Sequence, residues 1–353
     1  MPLPGLTGLR GLRGLLEACW WHRRHAWVGI ALSPLAALYG LLAGGRARAY
    51  RIGLLRAQRL PVPVVVVGNL VVGGAGKTPT TIALVKGLRA CGWTPGVVSR
   101  GYGGAVRGPR AVVPDDDPQV CGDEPLLIRR RTGAPVWVGA SRVAAGRRLC
   151  AAHPEVDLLV ADDGLQHLQL ARDVEVIVFD ERGLGNGRLL PAGPLRQRPS
   201  ASPPAGAIVV YNALRPSTPW PGHSVTRRLG PAIPLARWWR GQSCTAPPPP
   251  WAGRDEALIA AAGIAEPERF FSMLEAAGAR IVRFPLPDHA AWETVPWPAG
   301  TGPVLVTEKD AVKLPATHPD AARIHVVPLD FELPGEALAA VCARLPARAV
   351  AKG

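Results

Sequence analysis

Apolar residues in this chain fall into short β-branched runs, separated by glycine-rich turns and by stretches with helical spacing. The first run, Val62 to Val67, predicts a buried strand. Four glycines follow between Gly68 and Gly76, after which Ile82, Leu84, Val85 and Leu88 fit a helix. The alternation continues, with strands predicted at Thr94 to Ser99, Pro135 to Gly139, Val156 to Ala161, Val174 to Asp180 and Ala207 to Tyr211. Helices are predicted from Leu126 to Arg131 and from Ser141 to Ala152. Gly183 to Arg198 is too rich in glycine and proline for either. From Leu214 to Gly253 prolines dominate and no period appears, which reads as a linker with linking strands within Val225 to Trp239. Strands return at Leu258 to Ala262, Arg280 to Phe284 and Val304 to Val306. Between the first two lies a helix over Pro267 to Ala277, with Phe270, Phe271 and Leu274 on one face.

Strands alternating with helices predict an α/β protein: a mostly parallel sheet with helices on both faces, plus a second, smaller α/β domain. The expected organisation is an N-terminal helical segment over 1–60 and a larger α/β domain over 61–212. A Pro-rich linker over 213–254 and the smaller domain over 255–353 complete it. With 353 residues the chain is long enough for two domains with sizeable cores. No internal repeat is visible.

The N-terminal segment changes the picture. Ala26 to Gly45 carries no charge and is about as long as a membrane span, but Pro34 and flanking arginines weaken that reading. An interfacial helix on an anionic leaflet, a true span and a helix packed on the protein's own core all remain open. Leu6 to Arg24 is a second amphipathic candidate. The net charge of +14 points to anionic partners, and Glu17 is the sole acidic residue before Leu60, against nine arginines. That excess lies beside an apolar stretch rather than along an aromatic-lined groove, which disfavours nucleic acid. The six cysteines make no C-x-x-C pair and no zinc spacing, so no disulfide framework and no structural metal are expected.

The first predicted strand, its glycine loop and the following helix form the context of a phosphate-binding loop. Backbone N–H groups of Val71, Val72, Gly73, Gly74, Ala75 and Gly76 would turn inward on phosphate. Lys77 would reach the β/γ-phosphates, and the Thr78 hydroxyl would bind Mg²⁺. Val71 stands where the usual pattern has glycine, six residues before the lysine. The strand ending in Asp162-Asp163-Gly164 has the form of a Walker-B element, whose carboxylate holds Mg²⁺; two turn aspartates are the plain alternative. Asp123 stands before a predicted helix, where an N-cap and a catalytic carboxylate are both open readings.

The segments GN-x-x-x-GG-x-GKTP, SRGYGG, GDEP, G-x-x-R, DDGLQH, GNGRLLPAGPLR, PERFF, PDH and TEKDAVKL occur in that order. This ordered set resembles the tetraacyldisaccharide 4′-kinases, the lipid A 4′-kinases of Gram-negative bacteria. The match is dense from about Pro63 to Arg196 and patchier from about Gly263 to Leu314. The resemblance implies ATP- and Mg²⁺-dependent phosphorylation of the 4′-hydroxyl of an acylated glucosamine disaccharide 1-phosphate. The place would be the cytoplasmic face of the inner membrane, by a peripheral or monotopic enzyme with no obligate protein partner. It also implies that Asp123 is the general base, His289 its partner, and Arg142 an arginine near a phosphate. Thr78, Asp162 and Asp163 would hold the metal. The family's double glycine, here Gly73-Gly74, accommodates Val71. Departures are Gln197 in place of the family's glutamate after PAGPLR, Ile264-Ala265-Glu266-Pro267 for IGNP, and Ala290 after His289. A regulatory or maturation ATPase acting on a protein partner is the rival class, distinguished by needing to position water rather than a sugar hydroxyl.

Overall fold

Val64 to Val67 are fully buried, as a β-branched run must be when both faces of its strand are covered. The computed structural model describes residues 14–22, 25–105, 108–242, 251–252, 256–288, 295, 297 and 302–347. Contacts divide the chain into two units. The first comprises Met1–Lys77, Val160–Val225 and Pro334–Gly353; the second comprises Thr78–Leu159 and Thr226–Leu333. The chain leaves the first unit at Lys77, the first residue of the helix Lys77–Ala90, and re-enters it within the strand Leu158–Ala161.

In the first unit, Val64–Gly68 pairs in parallel with Val174–Asp180, with Val65 opposite Val174. Val174–Asp180 pairs in parallel with Ile208–Asn212, which carries the short strand His223–Ser224 on its other side. Asp173 fixes where the first strand begins: its carboxylate accepts the Val64 N–H at 2.8 Å and pairs with Arg59 at 3.1 Å. The helix Gly335–Cys342 packs on Ile208–Asn212.

The N-terminal residues 14–21 are helical, and Ala26–Ala31 and Ser33–Arg51 form two further helices. Leu32 separates these two, with Pro34 in the first turn of the second. Among the described residues no helix is long and apolar enough to cross a membrane. The uncharged stretch is therefore not one continuous helix. Val28, Gly29 and Ala36 face inward, whereas Trp27, Ile30, Leu35, Leu38, Leu41 and Leu42 are exposed. The Gly/Pro-rich segment 183–198 folds as turns and fastens these helices. Arg188 donates to the Gly29 carbonyl at 3.0 Å, Trp20 to the Pro191 carbonyl at 3.0 Å, and Tyr39 to the Arg196 carbonyl at 2.7 Å.

The second unit holds Pro95–Ser99 parallel to Val136–Val138, with Arg110–Val112 antiparallel beyond it. It also holds a five-stranded sheet in the order Ile233–Pro234, Ile324–Val327, Val304–Thr307, Leu258–Ala262, Ile281–Pro285, parallel except at its first pair. Phe270, Phe271 and Leu274 of the helix Pro267–Ala276 fill its core as their spacing predicts. The segment expected to supply linking strands departs from expectation, because strands at Thr226–Leu229 and Ile233–Pro234 are followed by a helix, Leu235–Trp239. Tertiary anchoring decides this: Trp238 is buried with its indole N–H on Glu308 at 3.1 Å, and the Arg130 guanidinium lies over both Trp238 and Trp239. Thr307 likewise ends its strand by capping the short helix Glu308–Ala311 through the Asp310 N–H at 3.3 Å. The short elements Arg110–Val112, Ile324–Val327, Leu329–Glu332 and Gly335–Cys342 were not anticipated from periodicity.

Phe271 is fully buried in this core, so Phe271→Ala should cost about 3–5 kcal/mol in chemical denaturation of the intact chain.

Candidate phosphate-transfer site

The segment Val71–Thr78 follows directly on the buried strand Val64–Gly68 and ends in the helix Lys77–Ala90. Gly73 and Gly76 have φ of 93° and 90°, in the left-handed region that favours glycine. A Cβ on Gly76 would lie 2.2 Å from Nδ2 of Asn212, the last residue of the strand Ile208–Asn212. That same amide donates to the Ala75 carbonyl at 3.3 Å, so Asn212 braces the loop from below. Segment 183–198 braces it from the other side. The Val72 N–H donates to the Pro194 carbonyl at 2.9 Å and the Arg196 N–H to the Leu70 carbonyl at 2.7 Å. Val71 is buried and bridges to Leu195 in antiparallel fashion. A β-branched residue suits that pairing, which is the physical reason a glycine is not needed there.

Lys77 is buried at 9% exposure. Its ammonium donates to Asn69 Oδ1 at 3.3 Å and to the Gly73 carbonyl at 3.2 Å, with Asp163 at 3.8 Å. Asp163 has φ 45° and is also paired with Arg196 at 2.9 Å. Asp162, beside it, is buried. Gln166 donates to Gln197 Oε1 at 3.1 Å and to the Asn69 carbonyl at 3.0 Å. Arg182 donates to the Gly74 carbonyl at 3.3 Å, is gripped by the buried Asp180, and stacks on Trp21 with 4.3 Å to the ring centroid. The donor set fits a nucleotide triphosphate with a divalent ion: a glycine cradle, one ammonium, and carboxylate oxygens beside it.

Thr78, buried, is the first residue of the second unit. Within that unit Asp123 opens the helix Asp123–Thr132, and Gly122 occupies the N-cap position with φ 92° and no side-chain cap. The capping reading of Asp123 therefore gives way: the carboxylate is buried at the first helical residue and accepts the Glu124 N–H at 3.0 Å. A Cβ on Gly122 would sit 2.8 Å from the Tyr102 carbonyl, so the glycine lets the SRGYGG loop pack against the helix start. Arg142 is buried at the first residue of the helix Arg142–Ala152, whose start Ser141 caps through the Ala144 N–H at 3.2 Å. His289 lies outside the described residues. Asp288, the residue before it, pairs with Lys309 at 3.0 Å, and Lys309 also pairs with Glu124 at 3.0 Å. Lys313 lies 3.9 Å from Asp123 and 3.4 Å from Asp310.

Lys77 and Asp163, which sequence reasoning assigned to the phosphates and to the metal, stand 3.8 Å apart. That reasoning missed Asn212, Arg182, Lys309 and Lys313 as neighbours of the functional groups. Only the two lysines left a sequence signal, as part of the TEKDAVKL segment.

The sequence profile of the family described as tetraacyldisaccharide-1-P 4′-kinase (LpxK) matches residues 28–346. A tetraacyldisaccharide 4′-kinase of Leptothrix cholodnii is 55% identical over 322 residues, covering 90% of this chain and 92% of that one. One from Methylibium petroleiphilum is 54% identical, covering 88% of each chain. A crystal structure of the "apo" form of LpxK from Aquifex aeolicus in complex with ATP superposes with a TM-score of 0.71. It covers 90% of this chain and 99% of that one at 24% identity, and so shows the same fold.

Gly76→Ala should weaken ATP binding by about tenfold or more, measured by calorimetry, because both its φ and Asn212 oppose a side chain.

Proposed function

This chain belongs to the tetraacyldisaccharide-1-P 4′-kinase family, and on that premise we propose that it transfers the γ-phosphate of ATP to the 4′-hydroxyl of a tetraacyldisaccharide 1-phosphate. The observation that carries the reading is the glycine loop that holds a buried Lys77 against Asp163 at the end of a buried strand. Val71 to Thr78 hold the nucleotide phosphates. Lys77, now resting on Asn69 and the Gly73 carbonyl, exchanges those contacts for phosphate oxygens. Mg²⁺, when bound, neutralises charge on the transferred group, and Thr78, Asp162 and Asp163 are the residues that hold it. Gln197 offers its amide oxygen where the family has a carboxylate, so the negative charge at the site comes from the two aspartates.

Asp123 accepts the proton of the attacking hydroxyl, with His289 as its partner, and Arg142 faces a phosphate of nucleotide or substrate. Asp123 is buried at the start of its helix, where the Glu124 N–H donates to its Oδ1 and Lys313 stands 3.9 Å from its Oδ2. The domain reading of a helical segment over 1–60, a nucleotide domain over 61–212, a linker and a smaller domain over 255–353 is part of the proposal.

The N-terminal helices place the enzyme on the inner-membrane surface, with the site facing the cytoplasm. Trp27 and Ile30 on the first helix and Leu35, Leu38, Leu41 and Leu42 on the second are exposed, and Arg46, Arg48 and Arg51 follow. Such a face buries into the headgroup boundary while arginines meet anionic lipid.

Labelled γ-phosphate should appear on tetraacyldisaccharide 1-phosphate in detergent micelles with the wild type. Lys77→Ala and Asp123→Ala should each cut the rate by at least about a hundredfold. ATP hydrolysis that depends on Lys77 without lipid labelling would instead indicate an ATPase acting on a partner. The wild type should float with anionic liposomes, and Leu41→Glu with Leu42→Glu together should abolish flotation.

A further inference from the structure

The TEKDAVKL segment has no part in the reading above, yet its two lysines meet the Asp123 turn. Thr307 caps the short helix Glu308–Ala311, which carries Lys309, and Lys313 lies in the turn that follows it. Asp310 anchors this turn from beneath. It is fully buried, accepts the Gly263 N–H at 3.0 Å and the Thr307 hydroxyl at 2.7 Å, and lies so close to Gly263 that a Cβ there would meet it at 2.8 Å. The turn is thus fixed from the sheet, and the lysines project from a rigid base.

Each lysine is shared between two carboxylates. Lys309 bridges Glu124 Oε1 and Asp288 Oδ1, both at 3.0 Å; Lys313 stands between Asp310 at 3.4 Å and Asp123 at 3.9 Å. Burial pulls the Lys309 ammonium down, but Glu124, Asp123 and Asp288 together outweigh it and hold it above its ordinary value. Burial pushes the Asp310 carboxyl up, against the pull of Lys313. An ion cluster kept for stability alone needs no particular geometry toward Asp123 and is often replaceable by apolar residues. Here one lysine faces the proposed base, and the other joins the base's helix to the chain that runs into His289.

We propose that Lys309 and Lys313 are positioning residues for phosphate transfer. Lys313 keeps Asp123 ionised, and Lys309 ties the entry to His289 onto the helix that begins at Asp123. The proposal rests on Asp123 being the base. Lys313 lies 3.9 Å from Asp123 and Lys309 feels its charge, while Glu124 on the same helix, Asp288 after Ile281–Pro285 and Asp310 on the capped turn are the carboxylates that share these two lysines. Removing a cation beside a carboxylate raises its pKa, so the acid limb of the pH–rate profile must move upward when Lys313 is neutralised.

The experiment measures kcat and KM across pH for wild type, Lys313→Met, Lys313→Arg, Lys309→Met and Lys309→Arg, with thermal midpoints. Lys313→Gln replaces Lys313→Met should the latter not fold. The expected result is an acid limb raised by about one pH unit or more in the neutralised Lys313 variant and restored in the arginine variant. Lys309→Met should lower kcat at least about tenfold with KM for ATP unchanged, and should add nothing further to a His289→Ala background. An unmoved acid limb, with kcat falling only as stability falls, would overturn the proposal. So would losses from Lys309→Met and His289→Ala that multiply. Asp123→Ala separates the two levels: if it retains activity, the assignment of the base fails; if it is inactive while the limb stays put, only this inference fails.

Discussion

The glycine loop after the first buried strand depends on backbone held by backbone. A loop with glycines at positive φ, here Gly73 and Gly76, has little conformational preference of its own, and ordering it costs entropy. The loop is fixed because segment 183–198 lies along it, through the Val72 N–H on Pro194 and the Arg196 N–H on Leu70. Asn212 closes the remaining side, in the space that the missing Cβ of Gly76 leaves. These contacts let Lys77 be buried with its ammonium satisfied, since the carbonyl and amide oxygens it uses are held at fixed positions. A buried ammonium without such partners would be costly.

The same segment carries the N-terminal helices. Arg188, the Pro191 carbonyl and the Arg196 carbonyl receive or give hydrogen bonds to Gly29, Trp20 and Tyr39, and Arg182 stacks on Trp21 while donating to Gly74. One irregular stretch thus joins the N-terminal helices, with their exposed apolar residues, to the glycine loop. Proline and glycine suit that task because they favour turns: some close within the segment, as the Gly193 N–H does on the Leu189 carbonyl at 2.9 Å, while other backbone groups reach neighbours.

The second unit handles charge differently. Asp123, Glu124, Asp288 and Asp310 outnumber the two lysines among them, and every ammonium is shared. Sharing holds separate stretches of chain at fixed spacing, which a one-to-one pair does not do. The Trp238, Trp239 and Arg130 stack lies at the last turn of the helix Asp123–Thr132, where Arg130 also donates to the Trp238 carbonyl at 3.1 Å.

Much of this was legible in the residues. The β-branched run, the glycines and the GKT segment determined a strand, a loop and a helix, because local sterics and burial period decide such elements. The ordered motifs, from GKTP to TEKDAVKL, carried the family. The Phe270, Phe271 and Leu274 face was readable for the same reason. What only the tertiary structure decided is which distant groups meet. The Leu235–Trp239 helix forms in a proline-rich stretch because Glu308 and Arg130 hold its tryptophans. Asp123 proves not to be the cap because Gly122 takes that place against the Tyr102 carbonyl. Asn212 reaches Gly76 across 136 positions of chain, a closeness that no local pattern encodes. Backbone preference acts over a few residues, whereas the fit of a side chain into a gap left by a glycine exists only once the sheet has brought both ends together.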